Sequence, residues 1–131
     1  VNINQTIIKY LARLAENNEG TRGKWKLAAG VIHKGNLVAT GVNSYKSSPF
    51  AARFSKNPEA IFLHAETDAI KSALKVLTLK ELSRSSLYVV RVKKDGSYGN
   101  SCPCIGCARA ISEFSLKETI YYCETEGWVI K

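Results

Sequence analysis

The chain has 131 residues, 45% of them apolar, and a formal net charge of +8. That length suits a single domain, residues 1–131, with a real core, and no apolar run approaches membrane-spanning length, so an integral membrane protein is not expected. The basic balance favours anionic partners, either a phosphorylated small molecule or a nucleic acid, and is equally the mark of a solvated basic surface.

Ile3, Ile7, Ile8, Leu11 and Leu14 recur at helical spacing, which predicts an amphipathic helix over roughly Asn4 to Asn17. Gly20 and Gly23 end it. Lys26 to His33 and Leu37 to Val42 read as strands joined by a short hairpin, Lys34-Gly35-Asn36. Lys46 to Pro58 is polar and holds two prolines, a loop over the site developed below. A second helix is predicted over Ile61 to Leu77, with Ala69, Ile70, Ala73 and Leu74 as its buried stripe, then a short helical turn from Thr78 to Ser83. Leu87 to Val92 is an apolar, β-branched run and reads as a central strand. A glycine-containing loop, Lys93 to Ser101, leads to a third long helix over Cys104 to Phe114, with Pro103 at its start. Thr119 to Cys123 and Gly127 to Ile130 complete the chain as strands. Their link, Thr125-Glu126-Gly127, is too short for a parallel crossover, so the final strand is expected to run antiparallel.

Two segments carry the chemistry. His64-Ala65-Glu66 opens the second helix, and Pro103-Cys104-Ile105-Gly106-Cys107 opens the third. Cys104 and Cys107, at i and i+3, share one helix face and can hold one metal. A helix start also favours the thiolate form that a metal needs. One imidazole and two thiolates are ligands suited to Zn²⁺, and three protein ligands leave a fourth position for water. Glu66 lies beside that set as an acid–base group. Zinc would lower the pKa of its water to about 7, and Glu66 would take that water's proton, then deliver it to the substrate. The backbone N–H of Ala65, unpaired in the first turn, is a donor for a substrate carbonyl. Two other readings stand beside this one. Cys102 or Cys123 could close a four-ligand structural zinc site, leaving a non-catalytic module, or the CxxC could be a redox pair. The absence of a secretory context makes the four cysteines reduced thiols of a cytoplasmic protein, with Cys123 a small buried apolar residue.

The spacing H-x-E…P-C-x-x-C is the zinc deaminase signature. Together with the element order α-β-β-α-β-α-β and a last short strand, it makes nearly the whole chain resemble the cytidine/deoxycytidylate deaminase superfamily. The resemblance implies a three-layer α-β-α fold, with a mixed sheet of about five strands and the metal between two helix N-termini. It further implies one Zn²⁺ per chain held by His64, Cys104 and Cys107, and Glu66 as the catalytic carboxylate. Asn43, just after the second strand, would contact the substrate sugar; its other reading is a turn asparagine.

The implied reaction is hydrolytic conversion of a cytosine nucleoside or nucleotide to its uracil form with release of ammonia. The alternative is a deaminase acting on nucleic acid, on single-stranded cytosine or tRNA adenosine. Free cytidine deaminases usually carry a glutamate two residues beyond the asparagine, where this chain has Tyr45; tRNA enzymes usually carry a glutamate before Pro-Cys, where it has Cys102. An antiparallel final strand matches the free-nucleoside enzymes. Lys46, Arg53 and Lys56 are candidates for a 5′-phosphate and Tyr98 for stacking on a base. A homo-oligomer is expected because relatives form dimers or tetramers.

Overall fold

The computed structural model describes residues 3–18, 26–44 and 64–131. Helix α1 spans Gln5–Glu16 and begins where it does because Asn4 caps it. The Asn4 side-chain oxygen accepts the N–H groups of Thr6 and Ile7, two donors that a helix start leaves unpaired. Its stripe of Ile7, Ile8, Leu11 and Ala15 is buried, as the spacing predicts. Each fully buried Ile or Leu contributes on the order of 1.5–3 kcal/mol.

Strands β1 (Lys26–His33) and β2 (Asn36–Val42) form an antiparallel hairpin. Its turn is two residues long, not three. Lys34 and Gly35 both have positive φ, 52° and 80°, the backbone of a type I′ turn. Asn36, expected in the turn, pairs with His33 instead.

Helix α2 spans Ala65–Ala73, and residues 61–63 of the expected helix lie outside the described part. At its other end it stops earlier than the sequence suggests. Lys75 and Val76 donate to carbonyls three residues back, and the tightened turns hand over to Thr78. Thr78 and Glu81 form a reciprocal capping box for the one-turn helix α3 (Leu79–Leu82).

Strand β3 (Ser86–Val92) is the expected central strand. The loop expected after it contains a two-residue strand, β4 (Tyr98–Gly99), which folds back antiparallel on Arg91 and Val92. Helix α4 spans Ile105–Glu113, followed by β5 (Glu118–Cys123) and β6 (Gly127–Ile130). Pro103 does not occupy the first helical position; Cys104 is the cap, and α4 starts one residue later.

The sheet order is β2-β1-β3-β5-β6, with β4 appended to β3. Only β3 and β5 run parallel; the other pairs, β5 with β6 included, are antiparallel. Helix α1 covers one face, through Ile8, Leu11, Ala28, Tyr88, Val90 and Ile120. Helices α2, α3 and α4 cover the other, around Ala69, Ile70, Leu82, Val89, Ala110 and Tyr121. The result is the three-layer α/β arrangement with a mixed sheet, in which the strand beyond the expected five is the two-residue β4.

Gly41 decides how closely α2 approaches. A Cβ there would stand 2.6 Å from the Ala65 carbonyl oxygen and would meet the Ala69 nitrogen as well. The strand backbone therefore lies directly on the helix backbone. Asp68 fixes the register of that contact, its Oδ2 accepting the Val42 N–H at 3.1 Å.

Candidate active site

Helices α2 and α4 bring their N-termini together on one side of the sheet. His64 is the N-cap of α2 and Cys104 the N-cap of α4, both with extended backbone and neither making a side-chain capping bond. Their side chains are thus turned away from their own helices and meet each other. His64 Nδ1 lies 3.5 Å from Cys104 Sγ and 3.4 Å from Cys107 Sγ. The three ligand atoms all fall within 4.8 Å of one another.

Those separations test the donor set against zinc. Bonds of about 2.0–2.1 Å to nitrogen and about 2.3 Å to sulfur, at a tetrahedral angle, put N and S about 3.6 Å apart. The two N–S separations fit without movement of the backbone. Among the described residues no fourth Cys, His, Asp or Glu joins the group. Cys102 is exposed and outside it; Cys123, expected to be buried, is half-exposed at the end of β5, with Sγ 3.2 Å from Thr125 Oγ1. A site closed by either cysteine is therefore not what the chain builds.

The electrostatics of the cluster favour a metal cation. With the Cys107 thiol and the His64 ring as hydrogen-bond donors, Cys104 is lowered to about 3. Cys107 is pushed upward by its bond to Cys104 and by burial. The two sulfurs are thus driven in opposite directions, Cys104 toward the thiolate and Cys107 toward the thiol. The Cys104 sulfur in turn raises His64, against the opposing effect of burial. Beside them Glu66 is 4% exposed. Burial raises its carboxyl above the ordinary range, outweighing the lowering by its own backbone N–H and by His64. Glu66 is the second residue of α2, so it projects on a different side from His64 while staying within the field of the cluster. Ala65 is the first residue of α2, where a backbone N–H has no partner in the helix.

Residues 1–123 match the family described as the cytidine and deoxycytidylate deaminase zinc-binding region. The chain belongs to that family. His64, Cys104 and Cys107 are positioned to hold one zinc ion per chain, and this deaminase is a zinc-dependent hydrolase. No curated protein sequence matches it. Among solved structures, the cytidine deaminase of Burkholderia pseudomallei is similar at 18% identity and TM-score 0.69, covering 99% of this chain and 92% of that one. The cytidine deaminase of Mycobacterium leprae is similar at 16% identity and TM-score 0.61, covering 98% and 94%. The dCMP deaminase of cyanophage S-TIM5 is similar at 21% identity and TM-score 0.55, covering 89% and 82%. These likenesses are of fold.

The remaining expectations of the sequence fall in three places. Asn43 directly follows β2, and its side-chain carbonyl is tied into the deaminase fold. Oδ1 accepts the Leu27 N–H at 2.9 Å and the Asn18 amide at 3.3 Å, and the same Asn18 amide reaches the Asn43 backbone carbonyl at 2.7 Å. These bonds fix the side chain's direction. Tyr98 packs its ring on Tyr122 and Trp128, at centroid distances of 5.8 and 5.2 Å. Lys46, Arg53 and Lys56 lie outside the described residues. Sequence reasoning did not single out Asn18, Asp68 or Ser101, because each acts through backbone groups distant along the chain.

Proposed function

We propose that this deaminase removes the exocyclic amine of a free cytosine nucleoside or its monophosphate, giving the uracil form and ammonia. The observation that carries the reading is a buried, neutral-leaning carboxyl, Glu66, against a three-ligand metal cluster that no further described side chain closes. When bound, zinc in such a site lowers the pKa of water to about 7 and so supplies a nucleophile near neutral pH. Glu66 would take one proton of the attacking water and give it to the ring nitrogen next to the reacting carbon, then carry the second water proton from the newly formed hydroxyl to the departing amine. Burial suits it to both halves of that task, since a raised pKa lets one carboxyl act as base and then as acid. The Ala65 N–H orients the base through its carbonyl, and Asn43 holds the sugar. The antiparallel β6 and the cytidine deaminases of similar fold support a free nucleoside; the dCMP deaminase of the cyanophage supports a monophosphate.

A net charge of +8 favours a second reading, action on single-stranded nucleic acid. One screen separates the two. Cytidine, deoxycytidine, their monophosphates, adenosine, guanine and short single strands are offered, and released ammonia is read. Turnover confined to oligonucleotides, with salt-sensitive binding, would replace the first reading by the second. Glu66→Ala should retain zinc and lose about 10²–10⁴-fold in kcat; undiminished turnover removes Glu66 from the mechanism. The same reading has the protein act as one domain, in the cytoplasm and as a homo-oligomer. No helix among the described residues is long and apolar enough to cross a membrane.

A further inference from the structure

Ser101 occupies a break in the sheet that sits directly before the metal-binding cysteines. Strands β3 and β5 pair in parallel from Ser86↔Glu118 to Tyr88↔Ile120 and then separate, although both continue, to Val92 and Cys123. The direction of the β5 backbone groups is fixed by its other neighbour. Thr119 exchanges both of its bonds with Lys131, so Thr119 faces the β6 side. Ile120 and Tyr122, one residue out of phase, then turn their N–H and C=O groups toward β3. In a regular parallel ladder continuing the same register, the Tyr122 N–H would donate to the Val89 carbonyl.

That bond is replaced by a relay. The Tyr122 N–H donates to Ser101 Oγ at 2.8 Å, and the Ser101 hydroxyl donates to the Val89 carbonyl at 2.8 Å. The Ser101 N–H donates to the Tyr122 carbonyl at 2.9 Å. One serine thus satisfies three backbone groups in the split. It is 2% exposed, where an unmet backbone donor or acceptor costs far more than at the surface. The chain enters the gap at Ser101 and leaves it through Cys102 and Pro103 to Cys104.

We infer that Ser101 is a positioning residue for the metal site: its hydroxyl registers the cysteine segment against β3 and β5 and so sets where the two sulfurs stand relative to His64. This rests on the zinc reading above, and the test separates the two. Wild-type protein and Ser101→Ala are compared for zinc affinity by chelator competition, for the absorption spectrum of the Co²⁺-substituted site, and for metal-free thermal midpoint. Removing an outer partner of a metal ligand set typically lowers affinity 10–100-fold. S101A should fall in that range, with altered Co²⁺ bands, and Ser101→Thr, which keeps the hydroxyl, should bind zinc within about threefold of wild type.

An S101A protein that melts lower but binds zinc as tightly as wild type, with an unchanged Co²⁺ spectrum, overturns the inference and leaves the zinc reading intact. A wild-type protein that binds no zinc overturns both. Should S101A not fold, hydrogen exchange on wild type decides. Chelating the metal should speed exchange of the Tyr122 amide at least tenfold more than that of the Val31 amide, in the middle of β1. Equal effects at both amides overturn the coupling.

Discussion

The two walls of the metal site are built in opposite ways. Helix α2, which supplies His64 and Glu66, buries six of its nine residues, Ala65, Glu66, Thr67, Ala69, Ile70 and Ala73. Its small side chains let it lie on the backbone of β2 at Gly41, and Asp68 locks the contact. Helix α4, which supplies the sulfurs, buries Cys107 and Ala110, while Cys104 and Ala108 are exposed. Its fixed point is its entrance, at Ser101. The carboxyl proposed to meet the substrate therefore rides on the more deeply buried of the two helices, and the sulfurs, which a metal can itself draw into place, ride on the more exposed one.

The largest effects should come from the sulfurs, and they should differ. Cys104→Ser and Cys107→Ser each leave two ligands where zinc needs three, so both should lose zinc in competition with a chelator, by several orders of magnitude in affinity. Metal-free, the two should part company. Cys107 is 2% exposed, and burying a serine hydroxyl in its place costs on the order of 1–3 kcal/mol. Cys104 is exposed, so its substitution carries no such burial cost and should lower metal-free urea stability by less. Equal destabilisation by both variants would mean that α4 is as firmly packed as α2.

Next comes the contact on which α2 rests. Gly41→Ala drives a methyl group into helix backbone rather than into a side chain that can swing aside. Overpacking of that kind typically costs about 1–3 kcal/mol, occasionally more, and here the upper end is expected. The matching change on the other wall, Ala108→Gly at an exposed position of α4, should cost only about 0.5–1 kcal/mol through backbone entropy. Urea midpoints of the two variants, taken with chelator present, measure the contrast directly. A Gly41→Ala protein no less stable than Ala108→Gly would show that the strand and helix have room to separate.

Much of this is legible in the amino-acid sequence alone. The amphipathic α1, the hairpin, the central β3 and the antiparallel last strand each follow from a local rule that nothing distant overrides. The ligand set was legible too, because His64, Glu66, Cys104 and Cys107 are chemically distinctive at short spacings. What escaped is what only tertiary structure defines. Strand β4 is two residues next to a glycine turn and exists only because Arg91 and Val92 are there to pair with it. Pro103 is a plausible first helical residue, yet the cap falls on Cys104, whose side chain must face the cluster. Ser101 looks like any loop serine until the separation of β3 from β5 gives its hydroxyl two backbone partners. Gly41 reads as a strand glycine, and only the approach of α2 explains it.

The smallest effect concerns the rigid wall alone and has a definite sign. Burial raises Glu66 above the ordinary carboxylate range, so the folded, metal-free protein holds that proton more tightly than the unfolded chain does. As pH climbs past the ordinary carboxylate pKa, the unfolded chain ionises first. Folding stability is then lost until Glu66 itself has titrated. Glutamine has no proton to lose. The thermal midpoint of Glu66→Gln should therefore match wild type at acid pH, move above it as pH rises through that window, and stay above it at neutral pH. For a chain of this size roughly 2–8 °C corresponds to each kcal/mol, so a modest difference is measurable. His64 and Cys107 are both raised by the Glu66 charge, so the gap reports the carboxyl together with that coupling. A gap of the opposite sign, with E66Q the less stable at neutral pH, would mean that the carboxylate is held by partners stronger than the cost of its burial, and that the acid–base group belongs to the stable fold rather than being carried at its expense.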